Sequence, residues 1–221
     1  MTTETPPRPA PRWRRRKEAR PAEILAAALP IFAERGYETT RLEDVARSAG
    51  CTKGTIFLYY RNKAELFRAA VRESVLPLVE ENERLVESHS GESRDLLERL
   101  LRLRWEHVKR SRFSAMVKLM LAETHTHPEL ARFCHDEFIE RNQALLRRVL
   151  QRGMDRGEFR PMDVAHVARF AVSPLLFAVV WRHALEHALE SSFSLDEFFE
   201  SSLQVLLQGL SPATTDSLSP A

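Results

Sequence analysis

The chain has 221 residues, 43% hydrophobic and 29% charged, with a net charge of +2. That length and balance suit a soluble globular protein with one small and one medium domain and ample core. The two cysteines, Cys51 and Cys134, form no metal-ligand spacing, which points to a reducing compartment.

The charge is unevenly spread. Residues 1–20 carry seven Arg or Lys against two Glu, whereas residues 69–221 carry nineteen basic and twenty-three acidic groups. The first segment, with T-P-P-R-P-A-P-R-W-R-R-R-K, is too proline-rich and charged to fold alone. Its Arg14, Arg15, Arg16 and Lys17 suit phosphates or a minor groove, or simply a solvated tail. This segment has no apolar core, so no signal peptide is expected. Pro21 is well placed as a first helical residue, so the arm is expected to end near Arg20 and the first helix to run over 21–36.

Three short elements follow. Thr40 with Glu43 has the spacing of a capping box, opening a helix over 41–48 that buries Leu42, Val45 and Ala46. Gly50 can adopt positive φ and turn the chain sharply. Thr52 then caps a helix over 52–59, and Asn62 with Glu65 caps a third. Two short helices about a glycine turn form a helix-turn-helix, whose second helix enters the major groove by its N-terminal residues. Those residues are Thr52, Lys53, Gly54 and Thr55. Lys53 and a threonine can meet base edges, and Gly54 removes a side chain where backbone must approach DNA. Tyr59 and Lys63 sit where phosphates would pass. Tyr60 reads as core, and Phe57 suits either core or contact. An αα-hairpin without DNA would share the same turn.

The stretch from Ile24 to Phe67 resembles the TetR/AcrR family of bacterial transcription regulators. The likeness rests on F-A-E-R-G-Y, then T-K-G-T-I-F-L-Y-Y and N-K-A-E-L. Beyond Phe67 only length and helical layout are similar. The resemblance implies a homodimeric, all-α regulator, with groove-reading positions at Lys53, Gly54, Thr55, Phe57, Leu58 and Tyr59. It places Thr40 and Lys63 at phosphates. It also implies a two-fold-symmetric operator, a small-molecule effector of lipophilic character, and repression.

The expected layout is an arm over 1–20, a helix-turn-helix DNA-binding domain over 21–67, a helical ligand-binding and dimerisation domain over 68–210, and a flexible tail over 211–221. Helices are expected at 63–88, 92–110, 112–123, 128–153, 162–189 and 194–209, the last capped by Ser194 with Glu197. The helix over 63–88 belongs to both domains, so a ligand that shifts it would alter the spacing of two readers. Trp105, Met116, Met120, Phe133, Phe138 and Phe170 are candidate ligand-binding side chains, with ordinary core as the alternative. Phe177, Trp181, Leu185, Phe198, Phe199 and Leu203 form stripes suited to a dimer interface of four helices, or to internal core.

No catalytic residue, cofactor or metal site is expected. The chain has no phosphate-cradling glycine loop and no G-x-S-x-G elbow, and the pair His183 and His187 lacks further ligands. The longest apolar run, Phe170 to Trp181, contains Pro174 and is expected to be too short for a bilayer. A cytoplasmic location follows. A ligand-independent activator or architectural DNA-binding protein, a helical enzyme and a protein–protein adaptor are the competing readings.

Overall fold

The computed structural model describes residues 12–123, 126–186 and 193–212, with backbone alone at 12–19, 111 and 112. The architecture is all-α, with no strand among the described residues. The helices are α1 (Arg12–Arg35), α2 (Leu42–Ser48), α3 (Lys53–Phe57), α4 (Lys63–Ser88), α5 (Ser93–Lys109), α6 (Ser111–Glu123), α7 (Pro128–Cys134), α8 (Glu140–Asp155), α9 (Val164–Val180) and α10 (Leu195–Leu210). The chain forms two compact units that part within α4, between Val71 and Arg72.

In the first unit Ile24, Ala28 and Phe32 of α1 are fully buried, as are Val45 of α2 and Ile56 of α3. Phe32, Tyr37 and Phe67 form an aromatic knot, with the Phe67 ring edge-on to both others at 5.3 Å. Tyr60 is buried, as expected of a core aromatic. The α2–α3 turn closes through two bonds, Cys51 N to Ala46 O at 2.9 Å and Gly50 N to Arg47 O at 3.2 Å, with Gly50 at φ 61. That pairing satisfies the last carbonyls of α2 and needs a residue at positive φ.

Two expectations for this unit are corrected. The first helix starts at Arg12 and runs through Pro21, so residues 12–20 continue α1 instead of belonging to the arm. W-R-R-R-K-E-A-R contains no helix breaker, and arginine, lysine, glutamate and alanine are good helix formers. Thr40 does not cap α2, whose N-cap is Arg41 without a side-chain bond. The Thr40 hydroxyl donates instead to Gly36 O at 2.6 Å, closing the end of α1, where Gly36 has φ 85. Residues 1–11, with the start of the arm, lie outside the described residues.

In the second unit α5, α8, α9 and α10 surround one core of Leu96, Leu97, Leu100, Leu146, Val149, Ala168, Ala178 and Leu207. Trp105 stacks on Phe199 at 4.7 Å and donates its ring N–H to Asp196 at 2.8 Å. Ser194 caps α10 by accepting from Glu197 N at 3.2 Å. The helices expected over 128–153 and 162–189 are each interrupted by a π turn, at His135–Ile139 and Trp181–Leu185. An extra residue per turn shifts every later side chain around the helix, and such turns are frequent at functional sites. Gly153 is not a helix end. It lies inside α8, and Gly157 at φ 69 terminates the helix. Residues 213–221 of the expected tail lie outside the described residues.

Candidate functional site

The turn presents α3 with most of its surface in solvent. Thr52 caps it, its hydroxyl accepting from Thr55 N at 3.2 Å and lying 3.0 Å from the Thr55 hydroxyl. Lys53 is exposed and its Nζ donates to Glu43 Oε1 at 2.7 Å. Glu43 is thereby drawn away from the expected capping box with Thr40. The Lys53 hydrogen bond is the chief reason the Glu43 carboxyl lies below its usual range.

Phe57 and Leu58 are 46% and 80% exposed, and among the described residues of the first unit they are the large apolar side chains left in solvent. Thr55 and Tyr59 are half-buried. A Cβ added to Gly54 would meet one side-chain atom, Thr52 Oγ1 at 3.7 Å, so nothing inside the protein requires glycine there. Lys63 donates to Glu38 O at 2.9 Å and lies 4.6 Å above the Tyr37 ring. Asn62 accepts from Glu65 N, and Glu65 accepts from Arg61 N, both at 2.8 Å. Thr40 is buried with its hydroxyl turned to α1, so a phosphate contact through that side chain does not fit this arrangement. The side chains of Arg14, Arg15 and Arg16 lie outside the described residues.

The second unit holds a cavity of about 230 Å³ bounded by parts of α4, α5, α6, α8, α9 and the first π turn. Of the six side chains expected at a ligand, Met120 and Phe138 line it. The other four do not. Trp105 is committed to Phe199 and Asp196, and Met116 is packed in the interior. The Phe133 ring lies under the Arg72 guanidinium at 5.0 Å, and Phe170 is 57% exposed. Periodicity marks all of these as apolar-face residues without telling which helix they meet.

The cavity also carries polar groups that the apolar reading missed: Asn82, Arg104, His107, Asn142 and Gln143. A signal was present, since Arg104 interrupts the apolar stripe Leu97, Leu100, Leu101, Val108 of α5. Arg104 Nη2 donates to Asn142 O at 3.0 Å, and Asn82 Nδ2 donates to Asn142 Oδ1 at 3.2 Å. His107 Nε2 lies 3.0 Å from Glu81 Oε2, yet burial holds its pKa below the ordinary value. Burial also pushes the Cys134 thiol up to about 11, which leaves it inert as a nucleophile at neutral pH.

A third feature is the outer side of α9 and α10. Phe170, Phe177, Val180 and Val205 are exposed, and Phe177 packs on Phe198 at 4.8 Å and on Trp181 at 5.7 Å. Trp181 and Leu185 are half-buried in the second π turn. Phe199 and Leu203, expected on the same face, are 4% and 3% exposed and belong to the chain's own core. They lie on the inner side of α10, toward α5. By length and composition Val164–Leu185 could cross a bilayer, so the expectation that this region is too short is also corrected. Its inner side, Ala168, Ala171, Leu175, Ala178 and Val179, is buried within the unit. His183 Nε2 lies 2.7 Å from the Ser114 hydroxyl, and His187 falls outside the described residues.

Residues 24–70 match the tetR family of bacterial regulatory proteins, and residues 88–190 match a tetracyclin repressor-like C-terminal domain. An uncharacterized HTH-type transcriptional regulator of Mycobacterium bovis, Mb1581, is 31% identical over 139 residues, which cover 63% of this chain and 65% of that protein. The matched region thus spans less than two thirds of that relative's length. The HTH-type transcriptional repressor KstR2 of Mycolicibacterium smegmatis is 24% identical over 98% of each chain. The crystal structure of FadR from Bacillus subtilis in complex with stearoyl-CoA superposes with a TM-score of 0.72 at 19% identity, covering 86% of this chain and 98% of that one.

Proposed function

The chain belongs to the TetR family of bacterial transcriptional regulators, and from that premise we propose that it is a homodimeric repressor that binds a palindromic operator and is released by a small lipophilic molecule. The α3 surface carries this reading. It offers a cation at Lys53, an uncrowded backbone at Gly54 and exposed apolar groups at Phe57 and Leu58, in the order a groove-reading helix needs. Lys53 reaches base acceptors or phosphate, Phe57 and Leu58 suit thymine methyls, and Tyr59 and Lys63 suit the flanking backbone.

The exposed apolar side of α9 and α10 supports a dimer. A contiguous apolar surface on a soluble chain marks an interaction site, and a two-fold axis through it matches a two-fold operator. Two readers must then fall about 34–36 Å apart, or a multiple of that, for both to enter the groove. The cavity supports an effector, and the FadR structure is itself a complex with stearoyl-CoA. A ligand-independent regulator would have no use for that space. An effector that moves α4, which both units share, would change the spacing of the readers and so lower operator affinity. A cytoplasmic protein without a membrane partner is part of the same reading.

Selection of bound sequences from random duplex DNA tests it. Enrichment of a palindrome is expected. No enrichment over competitor at low ionic strength would remove the operator, and with it the repressor.

A further inference from the structure

The lining of the cavity in the second unit is apolar except for Asn82, Arg104, His107, Asn142 and Gln143, and Arg104 is joined to Asn82 through Asn142. Its side chain is 6% exposed, and its Nε has no hydrogen-bond partner. Two further atoms of cavity-lining residues are buried without partners, Asn82 Oδ1 and Gln143 Oε1. Among the described residues no acid raises the pKa of Arg104, which burial alone draws down to about 9. Glu81 is engaged by His107. A guanidinium taken out of water without a counter-charge is costly, and buried polar atoms are normally satisfied. Here three unsatisfied atoms belong to residues around one cavity.

Resting on the regulator reading above, we infer that the effector is a small amphipathic monocarboxylate. Its apolar body fills the space between α5, α6, α8 and α9, and its carboxylate accepts from Arg104. The planar guanidinium is matched to a carboxylate, and charge-assisted bonds of this kind are short and strong in a dry site. The Gln143 amide can turn its nitrogen inward to donate to the same carboxylate, while Asn82 keeps its nitrogen on Asn142 Oδ1. One negative charge is called for, not two. Arg104 is the one arginine or lysine among the lining residues, and burial disfavours the charged form of His107 beside it. The volume sets the size: a cavity of about 150 Å³ takes a benzene, so 230 Å³ takes a body about half as large again.

The full chain is titrated by calorimetry with octanoate, 1-octanol and octylamine, which share a tail and differ in head group. Octanoate is expected to bind at least about tenfold more tightly than octanol, and octylamine not at all. Arg104→Met, checked for helicity by circular dichroism, should bring octanoate and octanol to similar affinity while octanol binding persists. A merely structural arginine would lower both together. Should Arg104→Met not fold, Arg104→Lys keeps the charge and loses the fork, and its octanoate preference should fall between parent and parity. Equal binding of octanoate and octanol by the parent, binding of neither, or an unchanged preference in the variant overturns the inference. Duplex binding by the ligand-free parent is read separately. A chain that selects a palindrome but ignores octanoate remains a regulator without this head-group site. A chain that binds octanoate but no duplex keeps the site and loses the regulator.

Discussion

Lys53 Nζ lies 2.7 Å from Glu43 Oε1, so the cation at the start of α3 is already held by an acid of the helix before it. Both side chains are about half exposed, and such pairs add little to folding. The pair instead aims Lys53 and tempers its charge. Glu43→Gln is expected to leave the thermal midpoint unchanged and to strengthen binding to a selected operator by less than about tenfold, because one anion leaves the DNA face. Lys53→Ala should weaken it by about tenfold or more. Fluorescence anisotropy measures both, and equal affinities for the two variants would remove Lys53 from the contact surface.

Gly54 is a helical glycine with open space around it, since the nearest foreign atom to an added Cβ would be 3.7 Å away. Gly54→Ala should therefore hold or raise stability, by up to about 1 kcal/mol from helix propensity, while operator affinity falls. The two effects have opposite signs. A variant that is more stable and binds equally well would mean that DNA does not approach the backbone at this point.

Gly153 is the opposite case. An added Cβ would lie 2.1 Å from Phe159 Cδ2, and the Phe159 backbone is tied down by a bond from its N to Gly153 O at 3.1 Å. Gly153→Ala is expected to destabilise the second unit by about 1–3 kcal/mol despite alanine's helix preference. The shift in denaturant midpoint reports it, and an unchanged midpoint would show that the ring can move aside.

On α9 and α10 the proposed interface and the core fall on opposite sides. Phe177→Arg or Val205→Arg places a charge on the exposed side, and sedimentation should show a monomer of near-normal thermal stability that no longer binds a palindrome tightly. Phe199→Ala, on the inner side of α10, should cost about 3–5 kcal/mol in folding. If Phe177→Arg and Val205→Arg both remain dimeric, the dimer axis lies elsewhere.

His107 gives a pH dependence. Its pKa is depressed below the ordinary 6.5, first by burial, with Glu81 opposing and Arg110 and Arg104 adding to the shift. The unfolded chain then binds this proton more readily than the folded one. The stabilisation is complete above 6.5 and is lost as pH falls through the lower folded value. His107→Asn should flatten the fall in thermal midpoint between about pH 7 and about pH 5, and an unaltered slope would assign that fall to other groups.

Where a signal and its partner lie within one helical turn, the amino-acid order alone determined the structure. Thr52, Asn62 and Ser194 each cap the helix expected of them, Gly50 turns the chain where it should, and α4 spans 63–88. Each of these caps and the turn depends on a backbone amide or a positive φ within five residues, and tertiary packing has little power to change it. Thr40 shows the limit. A hydroxyl in capping position was drawn to the nearer carbonyl of Gly36, and its intended partner Glu43 went to Lys53.

Only the tertiary structure decided which apolar side chains meet each other. Helical periodicity marks Trp105, Phe170, Phe177 and Phe199 as comparable surface, yet two are packed in the core and two stand in solvent. The first π turn carries Phe138 and Ile139, which line a cavity that no local pattern contains. Burial is a property of a pair of faces, and a sequence read one helix at a time supplies only one of them. Arg104 lies between these cases. Its break in an apolar stripe can be read in the sequence, but only the surrounding helices leave its Nε without a partner.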